Sequence, residues 1–268
     1  HAPAALRRPH LLTSDQRAAD GMPASMPRMG AGSMGSLTEL TVVAKTMGLS
    51  TSGGCVKRLL ASIPTHVSRA VTFVVAHEGP AGEHIKQEIV DAYPGELALI
   101  ELPVDAGLSV GRNELLRAVR TPYFLLVDDD FVAPANGTAF ALSLETALSF
   151  VRSGDFHIVG GVTSAAACAY QYERLMDFRA TLSISLVHCD KRLLSERPAL
   201  VDAVDNFFLG STAHVRRVMW DPVLKVGEHE DFFLRSQNRL KVGFWPGLVI
   251  VNDRTCRASS PEDEAAFL

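Results

Sequence analysis

From Leu37 onward, four short and nearly unbroken apolar runs are separated by segments of helical periodicity. The runs are "LTELTVVAK", "AVTFVVAHE", "LALIELP" and "YFLLVDDD", and between them lie "CVKRLLASI", "GEHIKQEIVDAY" and "GLSVGRNELLRAVR". Strands that alternate with helices of about ten residues form βαβ units, and continuous Val, Leu, Ile and Phe runs suit a parallel sheet covered on both faces. After Val132 the rhythm changes: "TAFALSLETALSFVRSG" reads as a helix, "FHIVGGVT" as a strand, and the segments beyond them as mixed structure. The expected fold is therefore α/β, a single domain with a Rossmann-like central mixed sheet flanked by helices. Residues 1–36, rich in Met, Pro, Gly, Ala and Ser without a period, read as a flexible arm or tether, and 259–268 as a charged tail.

Composition limits what such a fold can bind. A net charge of -4 and a pI near 6.1 provide no general basic field, so no nucleic-acid partner is expected and any bound anion must be held locally. No apolar stretch reaches the roughly 18 to 20 residues of a membrane span, so the chain as given is expected to be soluble. It begins with His rather than Met, which leaves open a removed anchor, the one route to a membrane. Cys55, Cys168, Cys189 and Cys256 lie far apart with no CxxC pair, against a zinc site; Cys168 with Cys189 would close the shortest loop.

Three successive carboxylates, Asp128, Asp129 and Asp130, end the fourth apolar run. In an open α/β sheet the ligand crevice lies beyond the carboxyl ends of the strands, which is where these aspartates would stand. Their mutual repulsion is relieved by a hard divalent cation, since Mg2+ or Mn2+ prefers oxygen ligands and bridges phosphate oxygens. On an extended backbone Asp128 and Asp130 point one way and Asp129 the other. A solvated turn or cap is the simpler alternative. An apolar strand, a D-x-D triplet and a preceding βαβ half resemble the arrangement of metal-dependent glycosyltransferases of the GT-A type.

A second acidic cluster, Glu228, His229, Glu230 and Asp231, precedes an apolar helix-like run. Carboxylates at a helix start are favoured by the macrodipole alone. Inverting sugar transfer, however, needs a carboxylate base to take the acceptor hydroxyl proton on the face opposite the leaving diphosphate.

The segments "VVAKTMG", "GLSVGRNELLRAVRTPYFLLVDDDFV", "VDNFFLGST" and "LKVGEHEDFFLR", in this order, resemble the inverting β1,4-N-acetylgalactosaminyltransferases of ganglioside synthesis and glycosyltransferase-family-2-like proteins, over roughly Leu37 to Arg257. The resemblance implies a GT-A fold, a UDP-sugar donor, Mn2+ or Mg2+ as cofactor, and a glycan or glycoconjugate acceptor. It also implies a Golgi or secretory-pathway lumen location for a eukaryotic parent protein, and a cytoplasmic one otherwise. The first half (37–132) would then bind nucleotide and the second (133–258) acceptor.

Carried onto this sequence, Asp130 is the expected direct metal ligand, with Asp128 on the metal or ribose and Asp129 beside the nucleotide. Asp231 is the expected base and Glu230 the residue that orients the acceptor, with the two roles interchangeable. Arg112 in "GRN" suits the diphosphate because a guanidinium grips phosphate bidentately; pairing with Glu114 or another carboxylate is its structural alternative. Asn113 would fix that turn. Lys45 and Thr46, at the end of the first strand, fall where such enzymes seat the nucleotide, and Glu78 could receive the uracil N3 proton. Asp205 and Asn206 would line the donor-sugar pocket, His229 would face substrate, and Trp220 would stack on a sugar, although aromatic residues are more often core. Many GT-A enzymes add a metal-binding His near the C-terminal end; the matching stretch here offers Asn252 and Asp253. Two rival functions match the sequence less well. A sugar-nucleotide nucleotidyltransferase would carry a Gly-rich GxGTR-like loop that "AKTMGLSTSGG" does not match, and a non-catalytic sugar-nucleotide-binding protein would not need both acidic clusters.

Overall fold

The computed structural model describes residues 34–163, 169–174, 182–187 and 196–257. The proposed arm, apart from its last residues, and the tail lie outside them, as do Cys168 and Cys189.

The alternating half folds as β1 (Leu40–Thr46), α1 (Leu49–Ser62), the turn-length α2 (Thr65–Ser68), β2 (Thr72–Glu78), α3 (Glu83–Ala92), β3 (Glu96–Leu102), α4 (Gly107–Ala118) and β4 (Tyr123–Asp128). The first strand begins three residues later than its apolar pattern suggests, because Met34–Glu39 form a 3-10 turn that buries Leu37 ahead of it. The chain continues through β5 (Phe131–Val132), α5 (Gly137–Arg152), β6 (Ile158–Thr163), β7 (Ala169–Arg174), β8 (Leu182–Val187), β9 (Ala199–Val201) and β10 (Ala203–Val204). It ends with β11 (Phe208–Ser211), α6 (Thr212–Val215), α7 (Glu228–Ser236) and β12 (Val242–Asn252).

The main sheet runs in the order β3-β2-β1-β4-β11-β6-β12-β5, with β9 on β12. Its first four strands are parallel, and β11 then enters antiparallel to both β4 and β6. The sheet is thus mixed, as expected, with the reversal at the β4–β11 junction. A small antiparallel sheet, β10-β7-β8, stands apart from it.

Each face of the sheet has its own core, and strand parity assigns residues to them. Leu40, Val42, Ala44, Phe73, Val75, Leu125 and Val127 pack with α1 and α5. Their neighbours Val43, Val74, Ala76, Phe124 and Leu126 pack with α4 and α7, whose Leu115, Leu116, Phe232 and Phe233 are at most 1% exposed. The same alternation sends Lys45, Glu78 and Asp128 to the α4 face and Thr46 and Asp129 to the α1 face.

Among the described residues one disulfide, Cys55–Cys256, joins α1 to the 3-10 turn Arg254–Arg257 that follows β12. Loop length alone pointed elsewhere, but sheet closure brings the ends of a 201-residue separation to a Cα–Cα distance of 5.1 Å.

Candidate active site

At the carboxyl ends of β1, β2 and β4 the polar residues pair within their own face. Lys45, opposite Asp128 in the β1–β4 register, directs Nζ to Glu78 Oε1 at 2.5 Å, and the same oxygen accepts the Gly107 N–H at 3.0 Å. That commitment of Glu78 Oε1 to Lys45 and to the start of α4 leaves the expected uracil contact to its other oxygen. On the opposite face the buried Thr46 hydroxyl donates to Asp129 Oδ2 at 2.7 Å. The triplet is therefore divided: Asp129 is tied into the α1 side, while Asp128 stands on the α4 side with its side chain 34% exposed.

α4 lies directly over Lys45. A Cβ on Gly111 would come within 2.6 Å of Lys45 Cγ, so the glycine of "GRN" provides the room for the lysine stem. One residue on, Arg112 is 2% exposed and places Nη1 2.5 Å from Glu228 Oε1 and Nη2 3.7 Å from Asp128 Oδ1. The guanidinium is thus enclosed and pairs with a carboxylate other than Glu114, the structural alternative to a diphosphate contact, and Glu114 pairs with Arg117. Asn113 clamps the Trp220 backbone, donating Nδ2–H to its carbonyl at 2.8 Å and accepting its N–H at 2.9 Å. The expected sugar-stacking role of Trp220 is corrected. It is 2% exposed, stacks on Phe232 at 4.6 Å and has the Arg112 guanidinium 5.9 Å from its ring centroid, so its faces are packed against protein. Its buried indole N–H has no hydrogen-bond partner.

α7 opens at Glu228 after Gly227, whose φ of 72° lies in the left-handed region that glycine enters without strain. Glu228, Glu230 and Asp231 fill its first turn, where the helix dipole favours negative charge. Glu228 is buried against Arg112, Glu230 is exposed, and Asp231 accepts Arg235 Nε–H at 2.7 Å. Arg235 also donates to the carbonyls of Val218 and Met219, bolting this turn to the 218–219 segment. Burial, reinforced by the Arg112 charge, lowers the His229 pKa to about 4 against the opposing effect of a hydrogen bond with the Val204 carbonyl, so the ring is neutral at pH 7.

That contact brings α7 beside the end of β10, from which Asp205 and Asn206 follow directly; Asn206 Oδ1 is buried without a partner. Phe207 then meets Phe131 edge-on at 6.2 Å, next to Asp130. Asp130 is 5% exposed, and its carbonyl accepts the Asp253 N–H at 2.7 Å. The Asp253 carboxylate pairs with Arg58 and accepts from Thr255, while Asn252 stands opposite Phe131 across the β12–β5 ladder. Contacts thus link Asp128, Arg112, Glu228, His229 and the Asp205–Asn206 segment into one neighbourhood, while Asp130 leads into the Phe131–Phe207 contact of the α1-side core. Glu228 is the member to which sequence reasoning gave no role, since its arginine is 116 residues away.

No group of three or more His, Cys, Asp or Glu among the described residues gathers as a self-sufficient metal site. Asp128 and Asp130 carry hard oxygen ligands of the kind Mg2+ or Mn2+ takes, and an ion held by them would draw its other ligands from substrate phosphates and water.

Solved structures share this architecture. GalNAc-T7 with UDP, GalNAc and Mn2+ superposes with a TM-score of 0.57 at 14% identity, over 80% of this chain and 43% of that one. The mannosyltransferase PcManGT from Pyrobaculum calidifontis, in complex with GDP-Man and Mn2+, gives 0.55 at 14% over 82% and 58%. S. aureus TarS 1-349 in complex with UDP gives 0.52 at 13% over 85% and 62%. The fold is that of the GT-A glycosyltransferases. Within that class the sequence is similar to β1,4 N-acetylgalactosaminyltransferase 2 of Mus musculus, 30% identical over 185 residues, and to β1,4 N-acetylgalactosaminyltransferase 1 of Homo sapiens, 30% over 189. Each match spans 67% of this chain and 33% of the relative, so the chain covers about a third of the length of the curated relatives it matches. No family model matches the chain. No helix among the described residues is long and apolar enough to cross a membrane.

Proposed function

We propose that this chain carries the catalytic domain of a metal-dependent, inverting glycosyltransferase. It moves GalNAc or a related hexose from a UDP-sugar to a hydroxyl of a glycan or glycoconjugate acceptor. The observation that carries this reading is the meeting of two acidic groups far apart in sequence, the tip of β4 and the start of α7, through the enclosed Arg112. Similarity to N-acetylgalactosaminyltransferases supports the class of donor.

In this reading Asp130 and Asp128 hold the divalent cation, which supplies neutralisation of the departing diphosphate. Lys45 and Thr46 shape the nucleotide end of the cleft, and Asp129, Glu78 and Asn113 fix the backbone and side chains around it. Asp205, Asn206 and the neutral His229 line the sugar side, where the unpartnered Asn206 Oδ1 and the neutral imidazole can bond hydroxyls at little desolvation penalty. A carboxylate in the first turn of α7 takes the acceptor proton as its oxygen attacks the anomeric carbon, and UDP leaves from the opposite face. Asp231 fills that role with its carboxylate aimed by Arg235, and the exposed Glu230 orients the acceptor.

UDP release and glycoside formation from a panel of UDP-sugars with Mn2+ test this function. Asp231→Asn is expected to bind UDP normally and to lose transfer by at least about 100-fold. Unchanged turnover would move the base to Glu230, to be checked with Glu230→Gln. A wild-type protein that binds UDP-sugars but never releases UDP would instead be a binding module.

A further inference from the structure

Arg112 faces two carboxylates unequally. Its contact with Glu228 is a hydrogen-bonded ion pair at 2.5 Å, with side chains 2% and 4% exposed, whereas its contact with Asp128 is 3.7 Å, too long for a hydrogen bond. A guanidinium stays charged even when enclosed, so the local field at Asp128 depends on where that charge is held. A cation arriving at Asp128 meets a fixed positive group close by, and Glu228 both neutralises that group and holds it back.

We propose that Glu228 is a positioning residue for the cation and diphosphate site, acting through Arg112. This inference rests on the donor reading above and adds to it a role for a residue that touches neither donor nor acceptor. The buried Glu228 carboxylate anchors the guanidinium on the α7 side and so keeps Arg112 from closing on Asp128. With the charge of Glu228 removed, the one remaining anionic partner within 4 Å of Arg112 among the described residues is Asp128. The guanidinium then moves onto the oxygens a divalent cation requires, and binding weakens. With both charges removed, the competition for Asp128 disappears and binding recovers. A residue that merely supported the fold would also recover stability in the double variant, since removing one partner of a buried ion pair costs more than removing both, so the distinguishing readout is a change in Mn2+ affinity measured where every variant is fully folded.

The test is calorimetric titration of Mn2+ with UDP present, on the whole chain, with thermal unfolding recorded for each variant. Glu228→Gln is expected to weaken Mn2+-dependent UDP binding about tenfold, the scale on which one nearby charge acts on a carboxylate. The double variant Arg112→Gln with Glu228→Gln should return to within about threefold of wild type, by removal of the same charge effect. Glu228→Asp, which keeps the charge but withdraws it by one methylene, should fall between wild type and Glu228→Gln, and it supplies the comparison if Glu228→Gln does not fold. Wild-type affinity in the folded single variants, or a double variant that binds no better than Glu228→Gln, would overturn the proposal. Absence of any Mn2+-dependent UDP binding by the wild-type protein would overturn the donor reading itself, and this inference with it.

Discussion

Replacing Cys55 and Cys256 with serine removes the covalent link between α1 and the segment after β12. The sequence separation is 201 residues, so the chain-entropy relation assigns the cross-link about 5 kcal/mol at 25 °C. Residual structure in the unfolded chain reduces that figure, and we expect a loss of about 3 to 5 kcal/mol. Domains of this kind have a total stability of about 5 to 15 kcal/mol, so the variant should remain folded but with a much lower guanidinium midpoint. The same turn is also held by Arg58, which pairs with Asp253 and donates to Thr255 at 2.8 Å, so native geometry should survive the loss. The assay is equilibrium denaturation without reductant, alongside the wild type. A loss below about 1 kcal/mol in a variant of native spectrum would refute the entropic reasoning. Reaction of all four cysteines of unreduced, denatured wild-type protein with a thiol reagent would refute the bridge.

Other perturbations reach the cleft directly. Gly111→Ala places a methyl 2.6 Å from Lys45 Cγ, and should destabilise by about 1 to 3 kcal/mol while weakening UDP binding, measured by denaturation and calorimetry. Asn113→Ala strips two hydrogen bonds from the buried Trp220 backbone and should destabilise by about 2 to 4 kcal/mol in the same denaturation assay. His229 titrates near pH 4 in the folded protein and near 6.5 when unfolded, so the unfolded state binds more protons between those values and stability falls as pH drops from about 6.5 to 4. The full effect is about 3 kcal/mol, and His229→Gln should flatten the acid side of a stability–pH curve. A residual slope of the same sign is expected from His77 and His157, which burial also lowers.

What was legible in the sequence is what local pattern encodes. The apolar run Tyr123–Val127 and its period-2 sequel are enough to end a buried strand at Asp128 and to send Asp129 to the other face, where Thr46 meets it. The acidic opening of α7 is visible because helix starts attract carboxylates and Gly227 precedes them. Contacts between distant segments were not legible. Nothing local says that Arg112 meets Glu228 or that Cys55 meets Cys256, because the β4–β11 and β6–β12 pairings create both encounters. The burial of Trp220 was hidden for a related reason: Asn113, 107 residues away, clamps its backbone and Phe232 stacks on its ring. Glu78 looked available because its partner Lys45 lies on a neighbouring strand rather than nearby in the chain.

The split of the aspartate triplet between the two faces makes β4 an ungapped ruler. Side chains along it can be exchanged for others of similar bulk, since each position meets a fixed depth of one core or the other. A single-residue deletion between Tyr123 and Asp128 would slip the reading frame of the strand, turning the carboxylate meant for Arg112 toward Thr46 and its neighbour the other way. In a natural lineage this stretch should drift in letters yet hold its length, while the loops that join the outer strands are free to grow.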